Sequence, residues 1–140
     1  MMPQGKFPNN VYRVSAKALI MDEKKRVLCV KEGGDSYWSL PGGGVDFGEN
    51  LREGLSRELY EEVGFVGNFE MDILGVETFF NTRHDVWKMS VVVKVMPDNF
   101  NFSIGKDADE VDYKHPQEFA DSTSPDEQYI YKYGYKDIAK

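Results

Sequence analysis

Three glutamates lie close together in one short stretch of the chain: Glu58, Glu61 and Glu62. In an α-helix, where successive residues turn by about 100°, all three carboxylates lie on one face. They repel one another there, and Arg57 is the only cation close to them in sequence. Such a face is often simply solvated, but it is also suited to hold Mg²⁺ or Mn²⁺, which prefer oxygen ligands. The residues around this stretch favour one interpretation over the other.

The sequence predicts that the stretch is helical and that the helix covers Leu51–Val63. Asn50 is a suitable N-cap, and Glu53 three residues later completes a capping box. Gly64 is suited to end the helix in a left-handed conformation. An apolar residue recurs at every fourth position and gives the helix one buried stripe: Leu51, Leu55, Leu59 and Val63.

A glycine-rich segment, Pro41–Gly44, precedes the helix. It is predicted to be a specialised loop, because neither a regular helix nor a regular strand favours that composition. Gly54 lies on the helix face that carries the glutamates, one turn before Glu58, and its missing side chain leaves room for a loop to approach. The helix, the acids and the loop are therefore expected to form one site, which favours a bound cation.

Four segments rich in β-branched and apolar residues are predicted strands: Val11–Met21, Arg26–Lys31, Phe69–Phe80 and Val86–Met96. The first two flank a polar turn and are expected to form a hairpin. The polar segment Asn101–Asp112 is expected to be a loop. A short helical turn at His115–Phe119 follows, and then a C-terminal helix from about Pro125 that could break near Gly134. Strands with one central and one terminal helix indicate an α/β sandwich with a mixed sheet.

Composition and length limit the class of protein. The chain of 140 residues suits one domain, residues 1–140, with a flexible N-terminal segment at residues 1–10. No apolar run reaches the roughly 18–20 residues of a membrane helix, and the N-terminus lacks the apolar core of a signal peptide. The single cysteine, Cys29, excludes an internal disulfide and favours a cytoplasmic setting. The net charge of −7 disfavours long nucleic acids as partners but allows a small phosphorylated ligand balanced by a metal ion.

The segment Gly43–Phe65 resembles an intact Nudix box. Every defined position of that motif is filled with the expected residue type: Gly43, Glu49, Arg57, Glu58, Leu59, Glu61, Glu62, Gly64 and Phe65. The preceding segment, Trp38–Gly42, is similar to the usual entry into the box. The resemblance implies a single domain with a Nudix-type α/β/α sandwich and a mixed β-sheet, in which residues 51–63 form the central catalytic helix.

The resemblance also implies an activity. Nudix proteins hydrolyse a phosphoanhydride bond in a nucleoside triphosphate, or in a nucleoside diphosphate linked to another group, with Mg²⁺ or Mn²⁺ as cofactor. The implied metal ligands are the box glutamates and one carbonyl: Glu58, Glu61, Glu62 and Gly42. Arg57 resembles the arginine that orients the glutamates, and Glu49 resembles the acid that pairs with it. Gly43, Glu49 and Gly64 are then structural parts of the motif.

In Nudix proteins the general base is a glutamate, either in the box or on a later loop. Glu58 and Glu61 compete for that role with Glu110, and Asp109 is a second candidate on the same stretch. An ordinary acidic loop explains Glu110 and Asp109 equally well. No covalent intermediate is expected, since the sequence suggests no serine–histidine pair.

Three residues are candidates for substrate binding. Phe79 and Trp87 could stack on a base, and Arg83 could meet a phosphate. Each also has an ordinary structural explanation, because aromatic residues in strands usually belong to the core and arginines are common in turns.

The substrate is a small nucleotide whose identity the sequence leaves open. The stretch Thr78–Arg83 lacks the markers of ADP-ribose and dinucleoside polyphosphate hydrolases. A nucleotide-sugar hydrolase and a non-catalytic Nudix-fold nucleotide-binding module are the alternatives. RNA binding or decapping is disfavoured by the net charge of −7 and the lack of a basic stripe. A homodimer is compatible with the resemblance, and the tyrosine-rich run Tyr129–Tyr135 could form its interface.

Overall fold

The structure, a computed structural model, describes residues 11–139, so the flexible segment expected at residues 1–10 lies outside the described residues. The described part contains these strands: β1 (Tyr12–Leu19), β2 (Val27–Lys31), β3 (Gly42–Gly44), β4 (Phe69–Asn81), β5 (Val86–Pro97) and β6 (Glu110–Lys114). Its helices are α1 (Leu51–Val63) and α2 (Pro125–Ala139), with a 3₁₀ turn at Pro116–Phe119. None of the helices between residues 11 and 139 is long and apolar enough to span a membrane.

The main sheet is mixed, as the sequence predicts, with the strand order β3-β1-β5-β4. β1 runs parallel to β5 and antiparallel to β3, while β4 runs antiparallel to β5. β2 pairs with β6 in a second, two-stranded sheet. The predicted hairpin of the first two strands is therefore wrong. Both edges of β1 are taken by β3 and β5, so β1 and β2 meet only near their turn, at the bridge between Met21 and Val27.

Two segments predicted as loops contribute strands instead. The glycine-rich segment forms β3, in which Gly43 lies opposite Ala16 of β1. The end of the polar segment before His115 forms β6, which pairs with β2. In β6, Val111 and Tyr113 pack against the core while acids occupy the positions between them. This alternation is typical of a half-buried strand, but the surrounding acids conceal it in the sequence.

The terminal helix α2 begins at Pro125, as predicted, and the break expected near Gly134 is absent, since the helix continues to Ala139. Gly134 has a packing role instead. A Cβ atom there would lie 2.6 Å from Cγ of Pro116, so the glycine allows α2 to approach the 3₁₀ turn.

Helix α1 has the predicted bounds and caps. The Asn50 side chain accepts a hydrogen bond from the Glu53 N–H at 2.8 Å, and the Glu53 carboxylate accepts one from the Asn50 N–H at 2.9 Å. Gly64 ends the helix with φ 64°. These local contacts explain why the sequence alone predicts the element that carries the glutamates.

The two helices cover opposite faces of the main sheet, which makes the fold an α/β/α sandwich. On one face, Leu55 and Leu59 of α1 pack against Ala16 of β1. On the other, Ile130 of α2 packs against Val92 of β5. Burying one leucine side chain stabilises a fold by about 1.5–3 kcal/mol, so the apolar stripe of α1 fixes the direction in which its glutamates point.

Candidate active site

A cavity of about 760 Å³ lies between the main sheet, α1 and the start of α2. Its walls come from β1, β3, β5, α1, the loop before β3, the turn between β4 and β5, and the first turn of α2. Glu58 and Glu62 line it together with Gly42 and Gly43. Ligand pockets typically measure about 300–1,000 Å³, so a nucleotide can be accommodated.

Glu58 faces this cavity directly beneath β3. A Cβ atom on Gly43 would lie 2.6 Å from the carboxyl carbon of Glu58, so only glycine allows this approach. Burial raises the pKa of Glu58, and a hydrogen bond from Arg57 acts in the opposite direction. Gly54 plays a similar part on the other side of the helix, where a Cβ atom would lie 3.2 Å from the methyl groups of Val45.

Glu62 is the most deeply buried of the box glutamates, with 1% of its surface exposed. Its carboxylate accepts a hydrogen bond from the Gly42 N–H at 2.7 Å and also contacts the carboxyl group of Glu32. Burial, followed by the Glu32 carboxyl, raises the pKa of Glu62 well above its usual range. Two acidic groups in contact, one of them almost fully buried, need a positive charge or a proton between them.

Arg57 joins the glutamates to the segment before the helix. It donates to Glu49 at 2.9 Å, to the carbonyl of Gly44 at 2.8 Å, to Glu58 at 3.0 Å and to Glu61 at 3.3 Å. The hydrogen bond from Arg57 lowers the pKa of Glu49 to about 2. All these partners stay charged near neutral pH, so Arg57 holds Glu58 in place and leaves Glu62 without a cation of its own.

The C-terminal end of α1 is fixed by the segment that follows β5. The backbone N–H groups of Ser103, Gly105 and Asp107 donate to the carbonyls of the last helical turn at 2.9, 2.9 and 3.0 Å. A Cβ atom on Gly105 would collide with the carbonyl of Glu61. These bonds satisfy carbonyls that a helix end leaves without partners, and they hold the backbone of the glutamates from the side away from the cavity.

The sequence-predicted site residues do not all meet at the cavity. Glu61 is held by Arg57 and is not among the lining residues. Glu110 lies on β6 in an ion pair with Lys31 at 3.6 Å, also outside the lining. Asp109 accepts a hydrogen bond from the Gly34 N–H at 2.8 Å and so anchors a loop. The structure therefore leaves Glu58 as the base candidate that faces the cavity.

The candidates for substrate contact also divide. Phe79 and Arg83 line the cavity, where Phe79 lies 6.4 Å from Tyr129 between ring centres and Arg83 pairs with Asp35 at 3.3 Å. Trp87 does not line the cavity and packs against Tyr12 on the opposite face of the sheet. Alternation along β5 explains this, because the cavity receives the next residue, Lys88.

Several residues that line the cavity were missed by the sequence interpretation. They come from separate elements: Lys17, Glu32, Lys88, Asp126 and Tyr129. Burial and the Asp35 carboxylate raise the pKa of Asp126 against the opposing charge of Lys17, and burial together with Lys17 lowers that of Lys88. Their positions depend on how β1, β5 and α2 pack, which no spacing in the chain reveals.

The donor set around Glu62 suits a hard divalent cation. Between residues 11 and 139, no three acidic, histidine or cysteine side chains already converge with ligand geometry. The donors are nevertheless all oxygens, and the contact between Glu62 and Glu32 leaves negative charge that no neighbouring arginine neutralises. These residues therefore fit Mg²⁺ or Mn²⁺ by their chemistry.

The buried glutamate should make stability depend on pH in a defined direction. Because the folded state raises the pKa of Glu62, wild-type protein loses stability as the pH rises from the unfolded value towards the folded one. Glu62→Gln cannot ionise, so in cation-free buffer its melting temperature should exceed that of wild type by roughly 3 °C or more at about pH 8 and by much less at about pH 5. Thermal melts at both pH values measure this. Glu23→Gln, at an exposed turn, is the control, and an equal difference at both pH values would contradict the assignment.

Comparison with known families and structures places this geometry in context. A family model described as NUDIX domain matches residues 11–132. An RNA pyrophosphohydrolase of Ruthia magnifica subsp. Calyptogena magnifica is 43% identical over 53 residues, which are 38% of this chain and 30% of that protein. One of Actinobacillus pleuropneumoniae serotype 5b is 42% identical over 53 residues, 38% of this chain and 26% of its own length. The match thus spans less than a third of either relative.

Solved structures share the fold. The MutT protein from Methanosarcina mazei Go1 superposes with a TM-score of 0.74 at 24% identity, over 92% of this chain and 96% of that one. The dihydroneopterin triphosphate pyrophosphohydrolase of E. coli gives 0.71 at 19% identity, over 90% and 99%. At these identities the likeness shows the architecture alone.

Proposed function

The chain belongs to the Nudix family, and from that premise we propose that it hydrolyses a phosphoanhydride bond in a nucleotide with the help of a divalent cation. One observation carries the proposal. Glu62, which is 1% exposed, contacts a second carboxyl group at the wall of a cavity of about 760 Å³, beside Gly42 and Glu58. A family member that is only a binding module has no need for this buried charge.

Glu58, Glu62 and the carbonyl of Gly42 would hold the cation, with Glu61 beside them on the same helix face. Mg²⁺ is the first choice and Mn²⁺ the second. When bound, such an ion neutralises charge on the phosphates and lowers the pKa of a coordinated water. Arg57 keeps the Glu58 carboxylate in place from the outer side of the helix. We propose Glu58 as the general base, because it faces the cavity and burial raises its pKa.

The cavity also contains groups that suit the two ends of a nucleotide. Lys17, Lys88 and Arg83 supply positive charge for phosphates, whereas Phe79 and Tyr129 offer aromatic surface for a base. We favour a nucleoside triphosphate, since three cations can meet a polyphosphate chain. A nucleoside diphosphate linked to a sugar is the alternative. Cytoplasmic location and a homodimer remain predictions from the sequence.

A substrate panel tests this proposal. It should contain the common nucleoside triphosphates, nucleotide sugars and a short RNA with a 5′-triphosphate, the last because the relatives are named RNA pyrophosphohydrolase. With Mg²⁺ present, at least one nucleoside triphosphate should be cleaved to a monophosphate and pyrophosphate, detected by ³¹P NMR. Binding of a panel member without cleavage of any would support the non-catalytic alternative and contradict the proposal.

A further inference from the structure

Lys17 occupies an unusual place in the cavity. It lies on β1, and its Nζ is 3.4 Å from the carbonyl of Leu40 and 3.4 Å from the carbonyl of Gly42. Both contacts are at the long limit of a hydrogen bond. None of the ion pairs within 4.0 Å among residues 11–139 involves Lys17, although carboxylates surround it. The ammonium group therefore has acidic neighbours but no fixed partner.

The charge of Lys17 nevertheless acts on the whole acidic cluster. It lowers the pKa values of Glu58, Glu62 and Asp126, which belong to two different helices. Of the other cations that line the cavity, Arg83 is paired with Asp35 at its edge. Lys17 is thus the main positive charge that faces Glu58 and Glu62 from the cavity side while no cation is bound.

A divalent cation at Glu58, Glu62 and the Gly42 carbonyl would lie close to the Lys17 ammonium group, and the two positive charges would repel each other. A substrate phosphate reverses this conflict, because its oxygens can bind both charges at once. A flexible four-carbon stem allows Lys17 to move towards such a phosphate.

We propose that Lys17 binds a phosphate group of the substrate and, before substrate arrives, opposes cation binding at Glu58 and Glu62. The proposal rests on the proposed function, since it assumes the same cation site. It names a substrate-binding residue outside the Nudix box. It also predicts that cation and phosphate bind with positive cooperativity, in which Lys17 is the residue that couples them.

Lys17→Met tests the proposal with Mn²⁺ alone and with Mn²⁺ plus inorganic pyrophosphate as probes. Methionine keeps most of the apolar stem and removes the charge. Without pyrophosphate, the variant should bind Mn²⁺ about tenfold more tightly than wild type, measured by electron paramagnetic resonance. In saturating Mn²⁺, it should bind pyrophosphate about tenfold more weakly, measured by calorimetry. A residue that only supports the fold would not strengthen Mn²⁺ binding.

Two further variants make the outcome decisive. Lys17→Arg keeps the charge and should restore both affinities to within about threefold of wild type. Lys24→Met, in an exposed turn, should change neither. Unchanged or weaker Mn²⁺ binding by Lys17→Met, or unchanged pyrophosphate binding, would overturn the role of Lys17 while leaving the cation site intact. If wild type and Glu62→Gln both bind no Mn²⁺, the proposed function itself fails, and the role of Lys17 with it.

Discussion

Glu62→Gln is expected to reduce kcat on the order of a thousandfold in a cation-saturated assay, with the fold retained. Glutamine has nearly the same shape as glutamate and can still accept the 2.7 Å hydrogen bond from the Gly42 N–H. It lacks the negative charge that we assign to cation binding, and it is poorly suited to replace a carboxylate ligand. The measurement is kcat on the best nucleotide of the panel, with circular dichroism and thermal melts to confirm folding.

The matched control for this variant is Glu23→Gln, which makes the same chemical change at an exposed turn away from the cavity. It should retain wild-type kcat within about twofold, the range expected for surface substitutions. Normal turnover by Glu62→Gln would show that the most buried acid of the box takes no part in the reaction. The cation assignment would then have to be abandoned.

Gly42→Ala is expected to have the largest effect on stability. Gly42 has φ 138°, a conformation that side chains rarely adopt, and a Cβ atom there would collide with the carbonyl oxygen of Ala16. Because that oxygen belongs to the backbone of β1, the sheet itself must shift. The free energy of unfolding should fall by about 2–4 kcal/mol, which corresponds to a melting temperature lower by roughly 10 °C. Activity should be lost as well, since Gly42 also holds Glu62.

Gly48→Ala separates the collision from the backbone conformation alone. Gly48 also has a positive φ, 93°, but a Cβ atom on it would meet nothing within 4 Å. This variant should lose no more than about 1–2 kcal/mol of stability. If Gly42→Ala melts within about 2 °C of Gly48→Ala, the tight contact between β3 and β1 does not constrain the site as described.

The parts of the fold that the sequence predicts are those fixed by local interactions. Helix α1 was predicted with its bounds, because Asn50, Glu53 and Gly64 satisfy its ends within a few residues of the chain. β3 was missed because its strand character comes from pairing with β1, a distant segment, and its glycines disfavour a strand locally. β6 was missed for the same reason, since its partner β2 lies far away in the sequence.

The site divides along the same line. The box glutamates could be named from their spacing on one helix, and the structure places Glu58 and Glu62 at the cavity. Lys17, Glu32 and Asp126 could not be named, because only the packing of β1 and α2 around the cavity brings them near those glutamates. Trp87 shows the opposite error, since its place on the far face of β5 depends on strand register rather than on residue type.

The central claim, cation-dependent hydrolysis at the buried glutamate, is tested most directly by removing and restoring the cation. Protein treated with a chelator and then desalted should cleave its best nucleotide at no more than about 1% of the original rate. Addition of Mg²⁺ or Mn²⁺ should restore the rate in wild type but not in Glu62→Gln. Full activity of the wild-type protein after chelation, without any added cation, would contradict the account.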